Sequence, residues 1–195
     1  MKKYFGMFTF CCFLLALPAL SLAASGLYGS INIGGAWLAD QDWDMNGAYL
    51  GEAEWDTGYT VGVALGYMID VFRVEGEIAY QTNDQDTFNN NDHPGDFDMI
   101  TYLANGYFDF NMENAFTPYL TAGIGAATVN FSEPGFDEDD TVFAYQLGIG
   151  VGIVMREALA LDFRYRYLAT QDAELDVYEA ETASHNLTVG LRMAF

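Results

Sequence analysis

Five stretches of the chain place apolar side chains at every second residue. In 58–67 the set is Tyr59, Val61, Val63, Leu65 and Tyr67, interleaved with Thr60, Gly62, Ala64 and Gly66. In 72–81, Phe72, Val74, Ile78 and Tyr80 alternate with Arg73, Glu75, Glu77 and Ala79. The run from Phe143 to Ile153 alternates with Ala144, Gln146 and three glycines, Leu159 to Tyr167 alternates with Ala160, Asp162, Arg164 and Arg166, and Leu187 to Phe195 alternates with Thr188, Gly190 and Arg192. A period of two puts successive side chains on opposite faces of a strand, so each run is a strand with one apolar face, and a helical period of 3.6 is excluded. Three further runs are less regular: 27–38 with Ile31, Ile33 and Trp37 on one parity, 98–110 with Ile100, Tyr102, Phe108 and Phe110, and 119–131 with small residues on both parities and no assignable face. The total is eight strands, each close to the roughly 9–11 residues that cross a bilayer when tilted.

The connections alternate in length. Those at 68–71, 111–116 and 155–158 are short turns, whereas 39–56, 82–98, 132–140 and 169–182 are long and polar. The long segments carry 21 of the 28 acidic residues and no Lys or Arg. One rim of the folded chain is therefore plain and the other strongly anionic.

Parity alone leaves open whether the apolar face points inward, as in a secreted sandwich or lipocalin-like barrel, or outward to lipid. Three features point outward. The polar parity holds Arg73, Glu75, Glu77, Asp162, Arg164, Arg166 and Arg192 among small residues, a set that fills a narrow eight-stranded lumen with paired charges. Aromatics on the apolar parity gather at two levels, Trp37, Tyr59, Tyr80, Tyr102, Tyr145 and Tyr167 toward the long connections and Tyr67, Phe72, Phe108 and Phe195 toward the short ones. Paired aromatic girdles mark the two interfaces of a bilayer-spanning barrel. Closure of such a barrel also pairs every backbone group, which hydrocarbon demands.

The amino end reads as a secretory leader: Lys2 and Lys3, an apolar run from Tyr4 to Leu20, and small residues at Ser21 and Ala23. Residues 1–23 are expected to be removed and 24–195 to form one barrel domain. Cys11 and Cys12 lie within the leader, leaving no disulfide or thiol chemistry to the remainder. Five arginines then face 28 acids, which excludes nucleic acid as a partner and favours cations.

Candidate sites are few. Asp42, Asp44, Asn46 and Gly47 copy the opening of a calcium loop, but the closing bidentate Glu falls on Ala53, and no helical pattern flanks the segment. The acidic segments are expected to form a solvated anionic rim; the sharper expectation is weak binding of Ca²⁺ or Mg²⁺ by Asp42, Asp44 and Asn46, or by Asp137, Asp139 and Asp140, bridging to lipopolysaccharide phosphates. Gly148 to Gly152 lack the last glycine of a phosphate-cradling fingerprint and belong to a strand interior. Ser184 and His185 are neighbours on a strand and face opposite ways, so they form no dyad, and His93 lies in a long connection. No catalytic, metal or cofactor residue is assigned.

The strands "TPYLTAGIG", "FAYQLGIGVGIVM" and "LALDFRYRYL", and the final strand "HNLTVGLRMAF" with its terminal Phe195, resemble those of small bacterial outer-membrane barrels of the opacity and OmpA-like type. The resemblance covers essentially all of 24–195. It implies an eight-stranded antiparallel up-and-down transmembrane β-barrel in the outer membrane of a Gram-negative bacterium, handed to the barrel assembly machinery through its last strand. It also implies contact with outer-membrane lipids and lipopolysaccharide. No peptidoglycan-binding domain is expected beyond the barrel, so wall anchoring is not implied. The expected function is a surface-exposed envelope protein that displays acidic loops for recognition, adhesion or envelope integrity. A narrow cation-preferring pore is the competing class. A lipid A-modifying enzyme is the third, and the "RYRY" strand lacks the His and Ser of the lipid A deacylases.

Overall fold

The computed structural model describes residues 26–195 except 40, 46–47, 56, 89–90, 93–95, 111–114, 134–135, 172, 176–177 and 181. For 41–55, 84–88, 91–92, 96, 131–133, 136–139, 173–175 and 178–180 it gives the backbone course alone. Eight long strands form the body: β1 Leu27–Leu38, β2 Gly58–Ile69, β3 Phe72–Phe88, β4 Asp96–Asp109, β5 Phe116–Glu133, β6 Phe136–Arg156, β7 Leu159–Thr170 and β8 Ala183–Ala194. Each pairs antiparallel with its sequence neighbours. The first strand pairs with the last, from Tyr28 against Ala194 to Leu38 against Ser184, and this closes the barrel. The predicted eight-stranded up-and-down topology is the one observed.

The alternation emerges as two wall surfaces. Ile31, Ile33, Val63, Leu65, Leu147, Ile149, Leu187 and Leu191 stand on the outside, with Leu65 65% and Leu147 59% exposed, while Thr60, Glu77, Arg166, Ser184 and Asn186 are buried on the inside. A water-soluble barrel would show the reverse distribution, since exposed apolar patches of this extent do not persist on soluble monomers. The face of β5 now has an assignment: Tyr119, Thr121, Ala127 and Val129 point inward, and Leu120 and Ile124 outward.

Two inward glycines exist because a tyrosine occupies their space. A Cβ at Gly66 would collide with the Tyr28 ring, and one at Gly150 with the Tyr119 ring. The glycine-dotted "GIGVG" segment is thus barrel wall that yields room to lumen side chains.

The connections differ from the sequence expectation at both ends. Pairing continues through Met68 with Arg73 and Ile69 with Phe72, so the β2–β3 turn tightens to Asp70 and Val71, with Asp70 in the left-handed region at φ 56°. Leu159 pairs Arg156 across a bulge, leaving Glu157 and Ala158 as the β6–β7 turn. At the other rim the long segments are largely strand. β5 and β6 stay paired out to Glu133 and Phe136. Gln41–Met45 and Ala48–Trp55 form a hairpin that pairs on one side with the tip of β3 and on the other with Tyr178–Ala180, which pairs in turn with Ala173–Leu175. Hydrogen-bond ladders are made by the backbone and need no apolar parity, so reading for apolar alternation misses these strands.

Leu191 pairs with Ile31 and Leu161 in the middle of the outer wall. Leu191→Arg is expected to destabilise the barrel by about 2–4 kcal/mol when urea unfolding is followed in phospholipid vesicles, because a guanidinium at mid-bilayer loses its hydration.

Candidate functional site

The lumen is filled by charge pairs whose partners come from different strands. Arg73 on β3 makes a forked contact with Asp109 on β4, its Nε and Nη2 donating to Oδ1 and Oδ2 at 2.9–3.1 Å. The Arg73 guanidinium also lies 4.2 Å from the Tyr107 ring centre and 4.8 Å from that of Tyr119. Arg192 on β8 donates to Asp162 on β7 at 3.0 Å. Across the middle, Arg164 and Arg166 of β7 both pair with Glu77 of β3, the former at 2.9 Å. Glu75 accepts from the phenols of Tyr28 at 3.0 Å and Tyr107 at 2.7 Å, and Arg164 donates to the Tyr107 oxygen at 2.9 Å. Strand alternation places all these groups on one surface, and barrel closure brings distant strands within bonding range.

Above this layer the charges give way to amides on one wall and hydrocarbon on the other. Arg166 donates to Asn186 at 2.6 Å and to Gln146 at 3.2 Å; Asn186 and Ser184 donate to Gln81 at 3.0 and 3.3 Å; Gln81 donates to Asn83 at 3.0 Å. Opposite, Leu38, Phe97, Met99, Leu103, Ala127, Val129, Ala144 and Leu168 form one buried apolar cluster. The two halves together occupy the long-loop half of the interior with buried side chains. Ion pairs dry on every side are costly to form, but removing one partner is costlier, since it strands a buried charge.

Sequence reasoning located the lumen charges and missed this apolar cluster. The available signal was the untidy parity of 96–109, where Phe97, Met99 and Leu103 oppose Ile100, Tyr102 and Phe108. Both parities are apolar there because that strand faces lipid on one side and the cluster on the other.

The other candidate residues are dispersed. Ser184 is buried and donates to Gln81, whereas His185 faces outward and shares a 2.7 Å hydrogen bond through Nδ1 with the Tyr165 hydroxyl, so no dyad forms. Asp42 and Asp44 lie in a short strand in which Met45 pairs Ala48; Asn46 and Gly47, joining the pair, lie outside the described residues, as does His93. Asp137, Asp139 and Asp140 are on β6, opposite Ser132, Asn130 and Val129, and Asp140 Oδ1 accepts from the Thr141 amide at 2.7 Å.

A closed eight-stranded barrel with an apolar exterior and a charged, packed lumen defines a transmembrane β-barrel. The sequence matches the family described as the outer membrane protein beta-barrel domain over residues 9–195, and the chain belongs to that family. It is therefore a protein of the bacterial outer membrane. Among curated relatives, it is 32% identical over 119 residues to the outer membrane protein PagN of Salmonella typhimurium, a match covering 50% of each chain. The chain thus spans about half the length of that relative. Among solved structures, it is similar to Neisserial surface protein A, with a TM-score of 0.62 and 21% identity over 88% of this chain and 98% of that one. Similarity to the outer membrane protein OprG of Pseudomonas aeruginosa follows, with a TM-score of 0.50 and 16% identity over 88% and 98%. At these identities the structural matches speak to the fold.

Glu77→Ala is expected to cost about 3–5 kcal/mol, read as a lowered guanidinium midpoint of the folded barrel, because Arg164 and Arg166 both lose their carboxylate in a dry lumen.

Proposed function

We propose that this protein is a surface-displayed envelope barrel, exported with cleavage near Ala23, whose rigid wall holds an acidic outer rim for recognition or adhesion. The observation that carries this reading is the division of charge. Four of the five arginines beyond the leader, Arg73, Arg164, Arg166 and Arg192, are committed to lumen pairs, while the four long segments hold 21 acids and no Lys or Arg. The carboxylates of the long segments face no Lys or Arg there, and the segments stand on strands that continue past the wall. A surface built in this way meets cationic partners, or reaches anionic lipopolysaccharide through divalent cations. The neisserial neighbour is named a surface protein, and the name PagN also denotes an outer-membrane protein, which accords with display.

Cells expressing the protein are expected to adhere to a polylysine-coated surface, with adhesion falling as salt rises and largely lost when the 21 acids of the four long segments are replaced by Asn and Gln. Unchanged adhesion in the replaced form, with normal surface levels, contradicts the reading.

The pore reading is opposed by the filled lumen. Purified protein in planar bilayers is expected to show no sustained openings, whereas the double variant Met99→Ala, Leu168→Ala, which thins the apolar cluster, gains small-amplitude openings. Steady cation-selective current from the unaltered protein would establish the pore instead.

A further inference from the structure

The outer wall is not uniform at the level of the aromatic girdle. In the β3–β4 sector the Tyr80 hydroxyl donates to Asp98 at 2.6 Å, so a carboxylate sits among the ring residues. In the β7–β8–β1 sector the same level carries His185. This residue stands directly opposite Trp37 on β1 and Tyr167 on β7. Its ring stacks on Tyr165, with centroids 6.0 Å apart and planes at 22°, and lies 5.4 Å from Tyr167. The Tyr165 hydroxyl holds Nδ1 at 2.7 Å. With Nδ1 accepting from that hydroxyl, or with the ring in its imidazolium form, Nε2 carries a proton and is free to donate away from Tyr165.

We propose that Trp37, His185 and Tyr167 form a binding site for the phosphate of a lipid headgroup in the outer leaflet. This rests on the reading of the wall as lipid-facing with its long connections outside. Three donors lie on adjacent strands about 5 Å apart: an indole N–H, an imidazole N–H and a phenol. Indole and phenol rings at an interface keep their apolar bodies in the acyl region and their polar tips at headgroup depth, which fixes the height of the site. The placement of the basic side chains selects the ligand. Among the described residues His185 is the sole base on the outer surface of the long-loop half, since four arginines are paired in the lumen and Arg156 stands at the opposite, short-turn end. Tyr165 acts as a positioning residue, fixing the imidazole plane through the stacked rings and the hydroxyl contact at Nδ1.

The chain has two histidines, so nitrogen NMR of the imidazoles in His93→Asn protein reads His185 alone. The folded protein is placed in nanodiscs containing diphosphoryl lipid A or its phosphate-free counterpart, and separately in detergent with inorganic phosphate. We expect the His185 Nε2 signal to shift with diphosphoryl lipid A only. His185→Phe, which keeps a ring at the interface and its heat-modifiable gel mobility, should retain about tenfold less diphosphoryl lipid A, the loss of one charge-assisted hydrogen bond. Identical spectra in the two nanodiscs, or unaltered retention by His185→Phe, overturn the site; an equal shift with inorganic phosphate overturns its lipid source. A barrel that enters the nanodisc without a shift sinks this inference alone, whereas one that enters neither nanodisc sinks the envelope reading as well.

Discussion

A strand in hydrocarbon has no water to hydrogen-bond its amides, and every unpaired N–H or C=O there costs several kcal/mol. The pairing of β1 with β8 removes the last free edge, and the other features of the molecule depend on it. Closure fixes which parity faces the lipid, because a register slip of one residue would turn Ile31 and Leu191 inward and Arg192 outward. It also defines a lumen narrow enough that Arg164 and Arg166 on one wall reach Glu77 on the other.

The lumen then acts as the core that the outside cannot be. In a soluble domain the hydrophobic residues are the interior; here they are committed to lipid, and the inside is held by ion pairs, amides and one apolar cluster. Such pairs are poor sources of net stability but intolerant of loss, which makes the barrel rigid in register. Rigidity suits a scaffold. The hairpin of 41–55 and the extended ends of β3, β5 and β6 rise from a wall whose geometry is set below them.

The distribution of charge follows from the same constraint. Four arginines are retained where carboxylates answer them inside the barrel, and the rim beyond the outer leaflet is left with acids. The girdle between these zones carries little charge of its own. Asp98 near Tyr80 and His185 beside Tyr165 are therefore conspicuous, one bringing a carboxyl group and the other an imidazole into a ring otherwise made of indoles and phenols.

Much of this was legible in the amino-acid order, because a strand with unlike faces writes its environment at every second residue. Val63, Leu147 and Leu191 announced lipid, Arg73 and Glu77 announced a lumen, and the alternating connection lengths announced an up-and-down path. The sequence left the partners undetermined. Nothing local pairs Glu77 with residues 164 and 166, since those contacts exist only when the ends of the sheet meet, and the contact of Tyr165 with His185 waits on the register between the last two strands. Apolar parity was also silent at 97–103, which has hydrocarbon on each side, and it did not reveal the backbone pairing of 41–55. In both cases the environment that decides the structure is supplied by other strands, so it belongs to the folded barrel and not to the segment.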